Sequence, residues 1–288
     1  MDLFRKILVP LELAELDERI MHFVAGLGRY GIGEALLANV KREIGLEAPV
    51  AKRREQDRGK LIASLASILT DAGVNVTAVP LAGVPTEEIL HAAHEEHVSL
   101  LVTATHGKSV LNEFVVGSVS ETVGRRSKVP VLMIPYRMLL ALDTDEAAFS
   151  AGAHVFDRLV YPTDFSDVSE RMLDLVKSLD GDKVGEVVVT HIVDPKELRN
   201  DHQREATLRS DNRILASISG ELDERGIRSS RVLESGPVIA ELLDLAENRG
   251  ATSFIMGSHG RGLSEEIFVG SVSQNVIRMA GLPVFVTH

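Results

Sequence analysis

The feature that most constrains the fold of this chain is a glycine-anchored motif that occurs twice. Gly257-Ser258-His259-Gly260 is followed by nine residues and then Gly270-Ser271, and Ala104-Thr105-His106-Gly107 is followed by nine residues and then Gly117-Ser118. A constant offset of 153 residues separates the two copies. Other landmarks keep this offset or one of 152 residues: Gly73 and Gly226, Gly83 and Gly236, Pro130 and Pro283, and Pro10 and Pro162. The chain is therefore predicted to contain two copies of one domain.

The length of the chain suits this duplication. Its 288 residues allow two domains of about 140 residues, each large enough to bury its own core. A repeat this long indicates tandem domains, because solenoid units run about 20 to 50 residues. The first domain is expected at 1–138 and the second at 155–288. Residues 139–154 are interpreted as a linker, because they include the acidic, small-residue stretch from Asp143 to Ala148.

Short apolar runs alternate with helical patterns in both halves, which favours parallel strands joined by right-handed helical crossovers. The predicted class is α/β, with two doubly wound, Rossmann-like domains and helices on both faces of each sheet. In the first half the predicted strands are Phe4–Val9, Glu34–Val40, Val74–Val79, Leu100–Thr103 and Val131–Ile134. In the second half they are Arg158–Tyr161, Glu186–Val193, Ser229–Leu233, Ser253–Met256 and Val284–Val286. The second half also predicts helices at Ser166–Leu179, His202–Arg225, Val238–Arg249 and Ser273–Ala280.

Composition and charge argue against several classes of function. The net charge is −11, and residues 141–288 hold 25 acidic and 15 basic residues, so a nucleic-acid partner bound through a broad basic face is not expected. The chain has no cysteine, which excludes disulfides and thiolate metal sites. Neither a secretory signal nor an apolar run of about 20 residues is evident. A cytoplasmic protein without a membrane partner is expected.

The repeated motif has the chemistry of a phosphate-binding loop. In an open parallel sheet, ligands bind beyond the carboxyl ends of the strands, where Tyr161–Ser166 and Met256–Gly260 are expected. Gly257 and Gly260 allow main-chain amides to turn toward an anion, and the chain then returns through Gly270-Ser271 to a helix N-terminus. An alternative remains open, because Ser271 with Gln274 and Ser118 with Glu121 match a capping box.

Three segments of the second half resemble the universal stress protein family: Tyr161-Pro162-Thr163-Asp164-Phe165-Ser166, Thr190-His191-Ile192-Val193-Asp194, and the Gly257 motif. The resemblance covers nearly the whole chain as two tandem copies. It implies a five-stranded sheet of order 3-2-1-4-5 and binding of an adenine nucleotide (ATP, ADP or AMP). Mg²⁺ is considered separately, as a companion ion of the nucleotide. The expected nucleotide-binding residues are Pro162, Thr163, Asp164, Ile192, Met256, Gly257, His259, Gly260, Arg261, Gly270, Ser271, Val272 and Ser273.

The first half departs from the family pattern at two positions. Ala104 replaces the first glycine of the loop, and Glu12 stands where the second half has Asp164. A methyl group would block phosphate if that position required a positive φ angle. A second, degenerate nucleotide site is therefore only a secondary expectation, with Glu12, Val40, Gly107, Gly117, Ser118 and Ser120 as its residues.

Other residue clusters are interpreted as structural. His91, His94 and His97 have helical spacing, but an exposed helix face is favoured and no metal site is assigned. His106 and His259 are interpreted as lining their turns, with a hydrogen bond to phosphate as the alternative, and His191 as a strand histidine satisfied by hydrogen bonds. The cluster Lys52-Arg53-Arg54 with Arg58 and Lys60 is expected on a solvated helix face.

A nucleotide-binding module that signals through shape or assembly is the favoured function. No catalytic residue is assigned, because no Walker lysine is present and neither Lys108 nor Arg261 has an evident base beside it. A slow Mg²⁺-dependent ATP hydrolase or nucleotidyl-transfer enzyme is one alternative, and a nucleotide-free scaffold is another. The two halves are expected to pair through their last strands, as the resemblance suggests, and a homodimer is a further expectation.

Overall fold

The computed structural model describes residues 3–41, 48–105, 117–197, 201–258 and 271–287. Contacts between residues divide the chain between His154 and Val155 into two compact units. Each unit is built around one parallel sheet, whose central strands are buried.

The N-terminal unit contains a five-stranded sheet in the order β3-β2-β1-β4-β5. Its neighbouring strands are all parallel. Because right-handed crossovers running in opposite directions along a sheet place their helices on opposite faces, this order gives a doubly wound sheet. Its strands and helices are β1 Lys6–Pro10, α1 Asp17–Gly26, β2 Glu34–Lys41, α2 Ala48–Asp71, β3 Asn75–Ala82, α3 Pro85–Glu95, β4 Leu100–Ala104, α4 Ser118–Arg126, β5 Val131–Ile134, α5 Tyr136–Ala141 and α6 Asp145–Ala153.

The C-terminal unit repeats this plan, with the strand order β10-β9-β6-β7-β8 and parallel pairing throughout. Read along the chain of this unit alone, the order is again 3-2-1-4-5. The α/β class, the two repeats and the strand order expected from the sequence are therefore confirmed. Its strands and helices are β6 Arg158–Pro162, α7 Asp167–Lys177, β7 Glu186–Val193, α8 Asp201–Asp223, β8 Ser229–Ser235, α9 Val238–Arg249, β9 Ser253–Gly257, α10 Ser271–Met279 and β10 Val284–Thr287.

The central strands are apolar because helices cover both of their faces. Ile7, Leu8 and Val9 of β1, and Leu159 and Val160 of β6, are fully buried. The outer strand β3 contains only exposed and half-buried residues. That outer position also accommodates Pro80, which has no amide proton to contribute to a sheet.

The stretch interpreted as a linker, residues 139–154, is folded. It contains the end of α5 and all of α6, and α6 packs against α1 within the N-terminal unit. The two helices cross at Gly26 and Gly152, where a Cβ on either glycine would overlap a carbonyl oxygen of the other helix. Gly152, within the stretch interpreted as a linker, is therefore one of the residues that permit close helix packing.

Within the described part of the chain, none of the helices combines the length and the apolar character that crossing a membrane would require.

Candidate functional site

The segments singled out from the sequence of the second half meet at one edge of its sheet. Strand β6 lies between β7 and β9, so the carboxyl ends of the three strands are neighbours. The strand order reverses between β6 and β9, which is the position where open α/β sheets bind ligands. Pro162, Ile192 and Gly257 all lie in the last residues of these strands.

Asp164 follows β6, and its carboxylate is held in a defined orientation. Its Oδ1 atom accepts hydrogen bonds from the Ser166 amide at 3.1 Å, the Ser166 hydroxyl at 2.6 Å and the Ser169 hydroxyl at 2.6 Å. The bond to the amide two residues ahead is the local turn that aspartate favours. Ser166 also caps helix α7, because its hydroxyl accepts a bond from the Ser169 amide. The carboxylate is thus fixed at the start of a helix.

Two neighbouring residues, Tyr161 and Thr163, stabilise this turn through hydrogen bonds. The Tyr161 hydroxyl donates to the Ser169 carbonyl at 2.7 Å. Burial raises the pKa of Tyr161, so its phenol stays protonated and remains a donor. The Thr163 hydroxyl accepts from the Phe165 amide at 3.0 Å. Phe165 itself has a φ angle of 60°, a left-handed conformation that is costly for an aromatic residue.

His191 connects the end of β6 with helix α8. Its Nδ1 atom lies 2.7 Å from the Thr163 carbonyl oxygen, and because that oxygen only accepts, Nδ1 carries the proton. Its Nε2 atom lies 3.7 Å from Oδ2 of Asp211 on α8. The imidazole also packs on Phe165, with ring centroids 4.5 Å apart. The expectation of a hydrogen-bonded strand histidine is confirmed, and its neighbour Ile192 is buried.

The N-terminal unit contains the same connection made by different residues. Asn39 of β2 donates through Nδ2 to the Leu11 carbonyl oxygen at 2.7 Å. Arg58 of α2 donates to Asn39 Oδ1 at 2.6 Å. Asn39 and Leu11 match His191 and Thr163 at an offset of 152 residues, and Arg58 matches Asp211 at 153. The interpretation of Arg58 as part of a solvated face is therefore wrong, because it bonds to a buried amide; Arg53, Arg54 and Lys60 are exposed.

The end of β9 is tied to the first turn of α10. Ser273 is buried, and its hydroxyl donates to the Gly257 carbonyl oxygen at 2.6 Å. The Ser258 amide donates to the Thr287 carbonyl oxygen at 2.8 Å. In the other unit, the Ser120 hydroxyl donates to the Ala104 carbonyl oxygen at the same distance of 2.6 Å. Both serines thus position a helix N-terminus beside a strand end. Met256 is buried, Val272 is half-buried and Ser271 is exposed.

The central part of each glycine-anchored loop lies outside the described residues. His259, Gly260, Arg261 and Gly270 belong to it in the second half, and His106, Gly107 and Lys108 in the first. Gly117 is described, and its amide donates to the Thr105 carbonyl oxygen at 2.6 Å. The capping-box interpretation of Ser118 is wrong: helix α4 begins at Ser118, and Gly117 is the N-cap residue without a side-chain hydrogen bond.

The secondary site of the first half differs from the C-terminal site at the tip of its first strand. Glu12 is exposed, and Leu13 has a positive φ angle of 54°, close to the 60° of Phe165 in the other unit. The carboxylate that organises this turn is instead the buried Asp17, whose Oδ2 accepts from the Ala14 amide at 3.1 Å. Val40 lies on β2. Ala104 ends β4 in paired, extended conformation, so its methyl group does not conflict with the backbone angle.

The histidines considered as metal ligands do not share one helix face. Helix α3 ends at Glu95, and His97 follows it with a φ angle of 52°. His91, His94 and His97 are all exposed. His94 pairs with Glu95, and the His97 ring lies 2.8 Å from the Glu95 carbonyl oxygen.

Comparison with known proteins identifies both units. The model of the universal stress protein family matches residues 3–135 and again 156–288. Universal stress protein MJ0577 of Methanocaldococcus jannaschii is 29% identical over 154 residues, which cover 46% of this chain and 94% of that protein. Universal stress protein YxiE of Bacillus subtilis is 24% identical over 155 residues, covering 46% of this chain and all of that protein.

Solved structures agree over the whole length. A universal stress protein from Archaeoglobus fulgidus superposes with a TM-score of 0.75 at 25% identity, covering 98% of this chain and 97% of the other. A protein from Pseudomonas aeruginosa at 18% identity, with a TM-score of 0.64 over 99% of this chain and 94% of its own, shares the fold. With two matches of the family model in tandem, the chain belongs to the universal stress protein family as a two-domain member.

Proposed function

We propose that the C-terminal domain binds an adenine nucleotide, ATP, ADP or AMP, and that the protein acts as a binding and signalling module in the response to stress. The observation that carries the proposal is the orientation of Asp164, which three hydrogen bonds fix at the switch point of the sheet. A carboxylate held in this way is suited to accept hydrogen bonds from ribose hydroxyls. Ile192 is the next-to-last residue of the neighbouring strand β7 and would present its main chain to the base.

The phosphates are assigned to the opposite side of the switch point. Gly257 ends β9, and Gly260 and Gly270-Ser271 complete the glycine spacing of the family's nucleotide-binding members. Helix α10 begins at Ser271, so its first amides are available to an anion. The Ser273 hydroxyl already donates a hydrogen bond to the Gly257 carbonyl oxygen. We therefore assign Ser273 a positioning role, in which its main-chain amide, not its hydroxyl, contacts phosphate. Mg²⁺ is proposed only as a companion of the nucleotide.

The N-terminal domain is proposed to bind nucleotide weakly or not at all. Its strand tip has the exposed Glu12 in place of the hydroxyl-bonded Asp164. Its loop begins with Ala104, whose methyl group reduces the space for close approach of a phosphate. This difference provides a matched control inside one chain.

Titration of ATP into nucleotide-free protein tests the proposal. Asp164→Ala and Gly260→Val should each abolish most of the binding heat, whereas Glu12→Ala should leave it unchanged. Ligand at 100 times its dissociation constant should stabilise the folded protein by about 2.7 kcal/mol, so a thermal shift is measurable. Equal binding by the wild type and Asp164→Ala would contradict the assignment. Mass spectrometry of copurified material identifies which nucleotide is preferred.

Turnover decides between a binding module and a slow enzyme. Intact nucleotide after long incubation with protein and Mg²⁺ supports the module. Release of phosphate above background that is lost in Asp164→Ala would instead favour a weak hydrolase.

We also propose that two chains associate into a homodimer. Light scattering at several protein concentrations tests this, because a chain of 31.3 kDa that stays monomeric throughout would contradict it.

A further inference from the structure

We propose a binding site for a divalent transition metal, with Zn²⁺ as the reference ion, formed by Glu18, His22 and Asp145 in the N-terminal domain. This site is separate from the nucleotide site proposed above and does not depend on it. Among the described residues, these three side chains are a group whose candidate ligand atoms all lie within 4.8 Å of one another. They come from two helices, α1 and α6.

The separation of the His22 and Asp145 ligand atoms fits a tetrahedral ion. His22 Nε2 and Asp145 Oδ2 are 3.3 Å apart, and two ligands that each lie about 2.0–2.1 Å from Zn²⁺ in tetrahedral geometry are separated by about 3.3 Å. Glu18 precedes His22 by four residues on α1, so both side chains share one helix face. A metal ion could therefore lie between the His22 and Asp145 ligand atoms at their present separation, with the Glu18 carboxylate moving in to complete the group.

The three ligand residues lie on α1 and α6, which pack closely against each other. Gly26 and Gly152 bring the backbones of α1 and α6 into direct contact in the C-terminal half of each helix, and α6 is continuous from this contact back to Asp145. Thr144 caps α6 by accepting a hydrogen bond from the Ala147 amide at 3.1 Å, which orders the turn that carries Asp145. Arg29 and Tyr30, just beyond α1, both donate to the Ala153 carbonyl oxygen at the other end of α6. Ligands on fixed elements lose little conformational entropy when they bind an ion.

The charge and the ligand types indicate which ions would bind. One imidazole and two carboxylates suit Zn²⁺ and its neighbours, whereas Mg²⁺ and Ca²⁺ prefer oxygen ligands alone. Two further acidic residues, Asp143 and Glu146, flank Asp145 and add to the attraction for a cation. The His22 side chain is 22% exposed and that of Asp145 63%, so an ion can enter and water can complete its coordination. Three protein ligands with an open position give an accessible site.

The second copy of the domain lacks this arrangement. At an offset of 152 residues, Glu18 corresponds to Glu170, but His22 corresponds to Asp174. Asp174 offers no imidazole nitrogen, and a cation of the protein already lies 4.0 Å from it: Lys177, which is itself hydrogen-bonded to Glu221. The proposed metal site is therefore specific to the N-terminal domain.

Titration of Zn²⁺ into the full chain, with any affinity tag removed and without nucleotide, tests the proposal. One equivalent should bind, and the melting temperature of the protein should rise. His22→Ala and Asp145→Asn should each weaken Zn²⁺ binding at least about tenfold, because even the loss of a partner behind a ligand has an effect of that size. His94→Ala removes an exposed histidine elsewhere and should bind Zn²⁺ as the wild type does.

Further measurements separate the site from loss of folding and from the nucleotide. Circular dichroism without metal checks each variant; if His22→Ala is unfolded, Glu18→Gln and Asp145→Asn decide the question. Co²⁺ should give a visible ligand-field absorption that these variants lose. Asp164→Ala should keep the Zn²⁺ affinity of the wild type. The proposal is overturned if the wild type binds no Zn²⁺, if folded variants of all three ligands bind it unchanged, or if His94→Ala abolishes binding.

Discussion

At the scale of single residues, Gly26 and Gly152 decide whether α1 and α6 can touch. A Cβ on Gly152 would overlap the Phe23 carbonyl oxygen, and a Cβ on Gly26 would overlap that of Phe149. Neither clash is with a flexible side chain, so the helices themselves would have to separate. The composition of residues 139–154 does not reveal this, because small residues are typical both of flexible linkers and of close helix packing.

We expect Gly152→Ala to lower the free energy of unfolding by about 1–3 kcal/mol, the usual effect of overpacking a closely packed site. Urea denaturation followed by circular dichroism measures it. Gly59→Ala is the control, since nothing lies within 4 Å of a Cβ at that helical position, and it should stabilise by about 0.5–1 kcal/mol. A Gly152→Ala protein as stable as the wild type would show that the crossing is looser than described.

The candidate site was predictable residue by residue only in part. The sequence pattern places Asp164 and Gly257 at strand ends, the resemblance adds Ile192 near the end of the second strand of its domain, and the structure brings those strand ends together. The partners of the hydroxyls could not be predicted in the same way. A serine both donates and accepts, and Ser273 bonds to a carbonyl 16 residues away, so its partner depends on tertiary placement. The sequence does not predict Ser169 as a partner of Asp164, for the same reason.

At the scale of elements, proline and glycine residues mark where helices begin and end. Helix α9 spans Val238–Arg249 as predicted, because Pro237 precedes it and Gly250 ends it with a φ angle of 60°. Strand β3 extends to Ala82, three residues beyond the prediction. Its sequence contains Pro80 and carries many exposed positions, which weakens the apolar signal at an outer strand. In the structure, β3 pairs along its whole length with β2, and this pairing defines the strand that the sequence pattern indicates only in part.

A cation, a carboxylate and a hydroxyl lie across three strands of each sheet. In the C-terminal domain, Glu186 of β7 accepts from Ser230 of β8 at 2.5 Å and from Arg158 of β6 at 3.2 Å. In the N-terminal domain, Glu34 accepts from Thr77 at 3.1 Å and lies 3.5 Å from Lys6. The bond from Ser230, together with Arg158, lowers the pKa of Glu186 below its ordinary value.

This lowered pKa predicts a dependence of stability on pH. The folded state holds Glu186 charged more readily than the unfolded state, so the contribution to stability is complete above the ordinary glutamate pKa and is lost as pH falls through the lower, folded value. Ser230→Ala should cost about 1 kcal/mol at pH 7 and less in acid. Unfolding measured at pH 7 and near pH 3 checks this. An equal cost at both pH values would contradict the explanation.

The connection through His191 predicts coupling between α8 and the end of β6. Asp211→Arg alone would place a guanidinium beside the imidazole, and His191→Asn alone would leave the buried Asp211 without its partner. Together, the two substitutions recreate the Asn39 and Arg58 arrangement of the other domain. We expect each single variant to be less stable than the double variant, with a coupling energy of about 1 kcal/mol. Additive effects in urea denaturation would argue that the two residues act independently.

At the scale of the whole molecule, the two domains share a fold but not the chemistry at their sheet edges. We expect ATP to slow hydrogen exchange at the strand ends and helix starts of residues 155–288, with little change in residues 3–154, because only the second domain carries both Asp164 and the complete glycine spacing. Exchange measured by mass spectrometry on the intact chain checks this. Asp164→Ala should remove the protection, and equal protection of both domains would show that the first site is also functional. Pairing of the halves through their last strands stays a prediction.

The matching bonds of Asn39 with Arg58 and of His191 with Asp211 limit how the two domains can be recombined. In each domain the polar strand residue pairs with a helix residue of suitable chemistry: Asn39 with Arg58, and His191 with Asp211. The two helix residues carry opposite charges. A chimaera that joins the strands of one copy to the long helix of the other would place His191 beside Arg58, or Asn39 beside Asp211. Exchange of segments between the copies should therefore succeed only when the strand and its long helix are exchanged together.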